Sequence, residues 1–86
     1  MKTSAKILVY TTTNCPFCVS AKRLLDSRQL AYEEIDVSDP VEKAALKERT
    51  GWRTVPQIFI QGQMIGGYQE LAALDQEGKF QDLLKE

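Results

Sequence analysis

A chain of 86 residues, 43% hydrophobic and 27% charged, has the composition of one ordinary folded domain, and residues 1–86 leave no room for a second core. Eleven basic and twelve acidic residues give a formal charge of −1, with no block of like sign that would hold a polyanion such as DNA or RNA. No apolar run approaches the roughly 18 residues of a membrane span. Residues 1–6 lead into a strand-like run without the small-residue cleavage site of a secretory signal, so a cytoplasmic protein is expected, with monomer as the default state.

Residues 6–11 are apolar and β-branched and read as a buried central strand. Thr12, Thr13 and Asn14 make the turn into a helix, with Asn14 as its cap. Cys15 then falls where strand gives way to helix, facing unpaired backbone N–H groups and the positive end of the helix dipole. Such a position favours thiolate over thiol, and the thiolate is the nucleophile. Pro16 suits the first helical residue, where its missing N–H costs nothing. Cys18, three residues on, faces the same side, so the pair can close as a disulfide or open as one exposed and one shielded thiol. Phe17, Ala21, Leu24 and Leu25 make the apolar stripe of the helix, with Lys22, Arg23 and Asp26 outside it as a solvated face. A link through Gln29, Leu30 and Ala31 leads to residues 32–37, a second strand parallel to the first through a right-handed crossover.

Ser38 or Asp39 caps a second helix with Pro40 in its first turn; it runs to about Thr50 and stops at Gly51. Its apolar face (Val41, Ala44, Ala45) is thin, so it should be the more exposed helix. Trp52 reads as a shield for a ligand or as cover for the sheet edge, the second being the expectation. Thr54-Val55-Pro56 introduces a third strand, residues 57–60; residues 61–63 turn, and Met64-Ile65 return as a short fourth strand. After Gly66-Gly67, residues 68–77 form a third helix with Leu71, Ala72 and Leu74 inward, ended by Gly78. A last helical piece uses Phe80, Leu83 and Leu84. Tyr10 and Tyr68 read as packing residues. The order β-α-β-α-β-β-α describes an α/β protein with a four-stranded mixed sheet flanked by helices.

Cysteine usage narrows the chemistry. Two neighbouring cysteines and no histidine do not suit a disulfide-stapled secreted domain, which usually spreads four or more cysteines along the chain. A structural zinc usually takes four Cys or His ligands, and this chain offers two, so no metal within one copy is expected; only one shared between copies survives. A redox pair is left.

With Cys15-Pro16-Phe17-Cys18 after the first strand, Thr54-Val55-Pro56 before the third, and Gly66-Gly67 before the third helix, the chain resembles a glutaredoxin of the dithiol, bacterial type. The three motifs fall in the family's order and spacing, over about residues 6–84. The resemblance implies a thioredoxin-like fold with a cis Val55–Pro56 bond beside the reactive cysteine, leaving the Val55 N–H and C=O free to pair with an extended peptide. It implies glutathione as that peptide and as co-substrate, with no tightly bound cofactor. The γ-glutamyl carboxylate would meet Gly67, Tyr68, Gln69 and Glu70, at a backbone that two glycines let the ligand approach. Phe17, Thr54, Val55 and Pro56 would line the same site. Where the family commonly has a lysine three residues before the reactive cysteine, this chain has Thr12, so Lys43 or Arg53 would supply the positive charge for the glycyl carboxylate. Phe17 replaces the usual tyrosine, and Gln69 and Glu70 replace a small polar residue and an aspartate.

The activity implied is glutathione-dependent thiol–disulfide exchange on glutathionylated mixed disulfides and protein disulfides, with Cys15 as nucleophile and Cys18 as resolving thiol. Two alternatives stand beside it. One is a thioredoxin-like electron donor recharged by a flavoprotein reductase, which the neutral Thr12 keeps open. The other is an iron–sulfur carrier in which two copies share a cluster, which Pro16 disfavours.

Overall fold

Ile7–Thr11 forms β1, and the chain is built outward from it. In the computed structural model, which describes residues 7–79, β1 is followed by α1 (Pro16–Ser27), β2 (Glu33–Asp36), α2 (Pro40–Thr50), β3 (Gln57–Ile60), β4 (Gln63–Gly66) and α3 (Tyr68–Gln76). This is the predicted order. The final helical piece predicted from Phe80, Leu83 and Leu84 lies outside the described residues.

The sheet order is β2-β1-β3-β4. β2 runs parallel to β1 (Tyr10 opposite Ile35), and β3 runs antiparallel on its other side (Val9 opposite Ile58). β3 and β4 form a hairpin. Gln61 and Gly62, both at positive φ (54° and 80°), make its two-residue turn, as the right-handed twist of the strands requires. The predicted turn thus sheds Gln63, which starts β4.

Alternation along β1 assigns the two faces. Ile7 and Val9 point to one side and pack with Ala21 and Leu25 of α1, Ile58 and Ile60 of β3 and Leu71 of α3. Each of the larger aliphatic side chains in this cluster contributes about 1.5–3 kcal/mol by leaving water. Tyr10 and Phe59 point to the other side and meet edge to face, with ring centroids 5.7 Å apart. α2 covers that side: its Arg49 Nη2 donates to the Tyr10 hydroxyl at 3.4 Å, and the guanidinium carbon stands 5.9 Å from the ring centre.

Both helix faces differ from their prediction. The buried stripe of α1 is Cys18, Ala21 and Leu25, with Leu24 partly buried, whereas Phe17 is 58% exposed. Phe17 stands in the first turn of α1, away from that stripe, and stacks on Tyr68 instead, with centroids 6.2 Å apart. On α2 only Leu46 is buried; Val41 is 77% exposed, and Ala44 and Ala45 are exposed too. Leu46 is the one long apolar chain among these residues, so its burial sets the rotation of the helix. Val41, five residues earlier, is then carried about 140° away from the sheet. α2 ends as predicted, with Asp39 accepting the Val41 N–H at 2.7 Å and Gly51 at φ 75°.

Candidate active site

The turn between β1 and α1 is held from the neighbouring crossover. The Thr13 N–H donates to Ser38 Oγ at 2.9 Å, and the Ser38 N–H donates to Asp36 Oδ1 at 2.7 Å. Asn14 is not the helix cap. It takes a positive φ of 57°, which asparagine tolerates, and turns the chain so that Cys15 becomes the cap residue. Cys15 Sγ accepts the Cys18 N–H at 3.1 Å, the role an oxygen usually fills at a helix start. An N–H donor and the helix dipole therefore converge on the sulfur, and both stabilise negative charge there.

Cys15 and Cys18 are joined as a disulfide, with Cα atoms 5.2 Å apart. Their environments differ: Cys15 is half-buried at the surface, whereas Cys18 is 2% exposed. An incoming sulfur therefore meets Cys15 first.

The Val55–Pro56 bond is cis, as the resemblance implied. It brings the Val55 carbonyl oxygen to 3.8 Å from Cys15 Sγ. The Val55 N–H enters no backbone–backbone bond among the described residues. From this edge opens a groove of about 340 Å³ lined by Phe17, Trp52, Thr54, Val55, Pro56, Gly67, Tyr68, Gln69 and Glu70. Eight residues singled out from the sequence thus meet in one place. Lys43 is not among them. It lines an adjoining groove of about 400 Å³ with Lys47 and Arg53, which shares Trp52, Thr54 and Val55 with the first. Thr12 faces a third depression, with Cys15, Cys18, Lys22, Glu34 and Asp36.

Glycine is required at position 66, where φ is +128° and a Cβ would lie 2.8 Å from Glu70 Cγ. The Glu70 side chain folds back over Gly66, and Oε1 accepts the Gly67 N–H at 2.9 Å, a capping-box contact. The Glu70 carboxylate, one of the four positions expected at the γ-glutamyl end of the ligand, is thus engaged at its own helix start. The amides of Tyr68 and Gln69 remain as first-turn donors without an intrahelical acceptor.

Trp52 lines both grooves, the place that the ligand-shielding reading gives it, and its buried Nε1 has no hydrogen-bond partner among the described residues. Its backbone is fixed by two residues that the sequence did not single out. Gln57, 2% exposed, donates from Nε2 to the Trp52 carbonyl at 2.9 Å and accepts from Thr50 Oγ1 at 3.0 Å. The Trp52 N–H donates to Thr50 Oγ1 at 3.1 Å.

Lys22 is also more than a solvated face. Its Nζ donates to Glu34 Oε2 at 3.0 Å, and the buried Thr11 hydroxyl donates to the same oxygen at 2.7 Å. The Thr11 hydrogen bond, with help from Lys22, holds the Glu34 carboxyl below its ordinary range; the Glu34 hydrogen bond raises Lys22. Among the described residues no three His, Cys, Asp or Glu side chains are gathered as a metal site.

Comparison with known proteins gives this geometry its family. The glutaredoxin family profile matches residues 7–65. Glutaredoxin 1 of Rickettsia conorii is 44% identical over 82 residues, which span 92% of this chain and 80% of that protein. The chain belongs to the glutaredoxin family. Among solved structures, a glutaredoxin from Brucella melitensis is 41% identical with a TM-score of 0.85, covering 98% of this chain and 92% of its own. A buckwheat glutaredoxin–glutathione complex is 33% identical with a TM-score of 0.81, covering 91% and 74%. The thioredoxin-like fold is thereby shared with its neighbours. Family membership and the Cys15–Cys18 pair make this glutaredoxin a thiol–disulfide oxidoreductase.

Proposed function

We propose that this glutaredoxin is a glutathione-dependent oxidoreductase that reduces glutathionylated mixed disulfides and protein disulfides, acting as a monomer in a cytoplasm where glutathione keeps thiols reduced. The observation that carries the reading is the groove beside Cys15. Eight residues expected to hold glutathione line it together, and its Val55 edge lies 3.8 Å from the Cys15 sulfur. The buckwheat relative solved with glutathione supports it.

In the proposed cycle the Cys15 thiolate attacks the glutathione sulfur of a mixed disulfide, forming the Cys15–glutathione bond and releasing the protein thiol. A second glutathione thiolate attacks that sulfur, leaving as glutathione disulfide and restoring Cys15. With a protein disulfide, Cys15 first bonds one substrate sulfur. The Cys18 thiolate then attacks Cys15, frees the substrate dithiol and leaves the Cys15–Cys18 disulfide for two glutathiones to reduce. Lys43 or Arg53 meets the glycyl carboxylate, the amides of Tyr68 and Gln69 meet the γ-glutamyl carboxylate, and Phe17 gives an apolar wall.

The cysteine roles are separable. Cys15→Ser is expected to abolish both reactions. Cys18→Ser is expected to keep removal of glutathione from a glutathionylated peptide while losing most protein-disulfide reduction. Equal loss in both variants would refute the assignment.

A further inference from the structure

The groove that Lys43 lines carries more positive charge than one carboxylate needs. Lys43 and Lys47 stand one helical turn apart on α2, and Arg53 faces them from the loop after Gly51. No acidic side chain lines this groove; Glu48 borders the neighbouring depression that Lys47 and Arg53 also flank. None of the three cations forms an ion pair among the described residues, where the pairs are Lys22–Glu34, Arg28–Asp75 and Lys79–Glu77. Arg49, also on α2, is turned away to Tyr10. Three unpaired cations gather here on a chain whose formal charge is −1.

The two grooves meet at Trp52, Thr54 and Val55, beside the reactive sulfur, and their characters are opposite. One end offers the exposed Phe17 ring stacked on Tyr68. The other offers ammonium and guanidinium groups. A peptide lying extended along the Val55 edge advances about 3.3 Å per residue, so residues two or three from its cysteine reach past the shared walls into either end.

We propose that the protein substrates of this glutaredoxin carry acidic side chains on one side of the disulfide cysteine, seated by Lys43, Lys47 and Arg53, while the other side runs over the Phe17–Tyr68 stack. The inference rests on the proposed attack by Cys15. It adds the class of protein segment that Cys15 receives.

The test needs no glutathione. The protein is reduced with dithiothreitol, freed of it, and mixed with short peptides whose single cysteine is a mixed disulfide with 2-thiopyridine. Cys15 thiolate bonds the peptide sulfur and expels pyridine-2-thiolate, whose thione is followed by absorbance. Cys18 thiolate then attacks Cys15 and frees the peptide thiol. The dithiol gives two electrons, and its two protons end on the thione and the peptide thiol. Three peptides are compared, with Asp-Asp on the N-terminal side, Asp-Asp on the C-terminal side, or Ser-Ser on both.

One acidic peptide is expected to react about 3–10-fold faster than the other two, with the advantage lost in about 0.5 M salt. Lys47→Glu is expected to reverse the preference while reacting with uncharged dipyridyl disulfide at the wild-type rate. Equal rates for all three peptides, or equal acceleration of both acidic ones, overturn the inference and leave the proposed function standing. No reaction with any peptide or with dipyridyl disulfide overturns the attack by Cys15, and the inference with it.

Discussion

At the scale of single residues, the site depends on a division of labour between groups that react and groups that hold them. In the proposed cycle Cys15 is the sulfur that reacts, a role supported by the backbone N–H and the helix start that face it. Gln57 reacts with nothing, yet it holds the loop carrying Trp52 through one donated and one accepted hydrogen bond. Gln57→Leu would strand the part-buried Trp52 carbonyl, at about 1–3 kcal/mol, while the Thr50 hydroxyl keeps the Leu46 carbonyl and the Trp52 N–H. Trp52 is the only tryptophan in the chain, so its fluorescence reports the loop directly. A lowered melting temperature with a shifted emission maximum is expected; unchanged emission would mean that Gln57 does not position Trp52. The reactive pair was legible in the sequence because C-x-x-C at a strand–helix junction has few other uses. Gln57 was not, since a buried glutamine is told from an exposed one only by the partners the fold brings to it.

At the scale of elements, the start of α3 shows how a glycine pair earns two separate explanations. Gly66 has a positive φ and no space for a Cβ, whereas Gly67 has an ordinary φ of −98°, and a Cβ there would touch Pro56 and Glu70 at 3.5 Å. Gly66→Ala is therefore expected to cost about 1–3 kcal/mol from backbone strain, with more from the displaced Glu70. Gly67→Ala should cost less in stability and act on the groove. Thermal melts of both variants check the order; a Gly67→Ala that is the less stable of the two would contradict it. The elements themselves were legible from caps, breakers and periodicity, and their rotations were not. In α2 the alanines and Val41 suggested one face, while a single leucine decided another. In α1 the helix starts at Pro16 as expected, but the cap is Cys15 and not Asn14, which takes a positive φ in the turn before it.

At the scale of the whole molecule, elements distant in sequence are tied by polar links as well as by the core. Arg28, after α1, makes a two-pronged contact with Asp75 of α3 at 2.6 and 2.8 Å, across 47 residues of sequence. The Arg28 hydrogen bond holds the Asp75 carboxyl below its ordinary range. A carboxyl lowered on folding adds stability that is fully present above the unfolded value, about 3.9 for Asp, and fades as pH falls through the lower folded value. The difference in melting temperature between wild type and Asp75→Asn should then be constant from neutral pH down to about 5 and shrink below 4. A difference that does not change with pH would assign the effect to packing instead. This link was invisible in the sequence, because nothing local connects residues so far apart. The mixed four-stranded sheet was legible because each crossover and hairpin leaves a short-range signature.

The central claim, that glutathione is the reductant and Cys15 the sulfur it recharges, is tested most directly by one rate. The protein is supplied with glutathione alone as reductant and a glutathionylated peptide as substrate, and turnover is measured for wild type and Cys18→Ser. Sustained turnover by both is the expected result. Negligible turnover by both would contradict the account, would mark Thr12 and Gln69 as signs of a groove that does not hold glutathione, and would direct the search for electrons to a flavoprotein reductase.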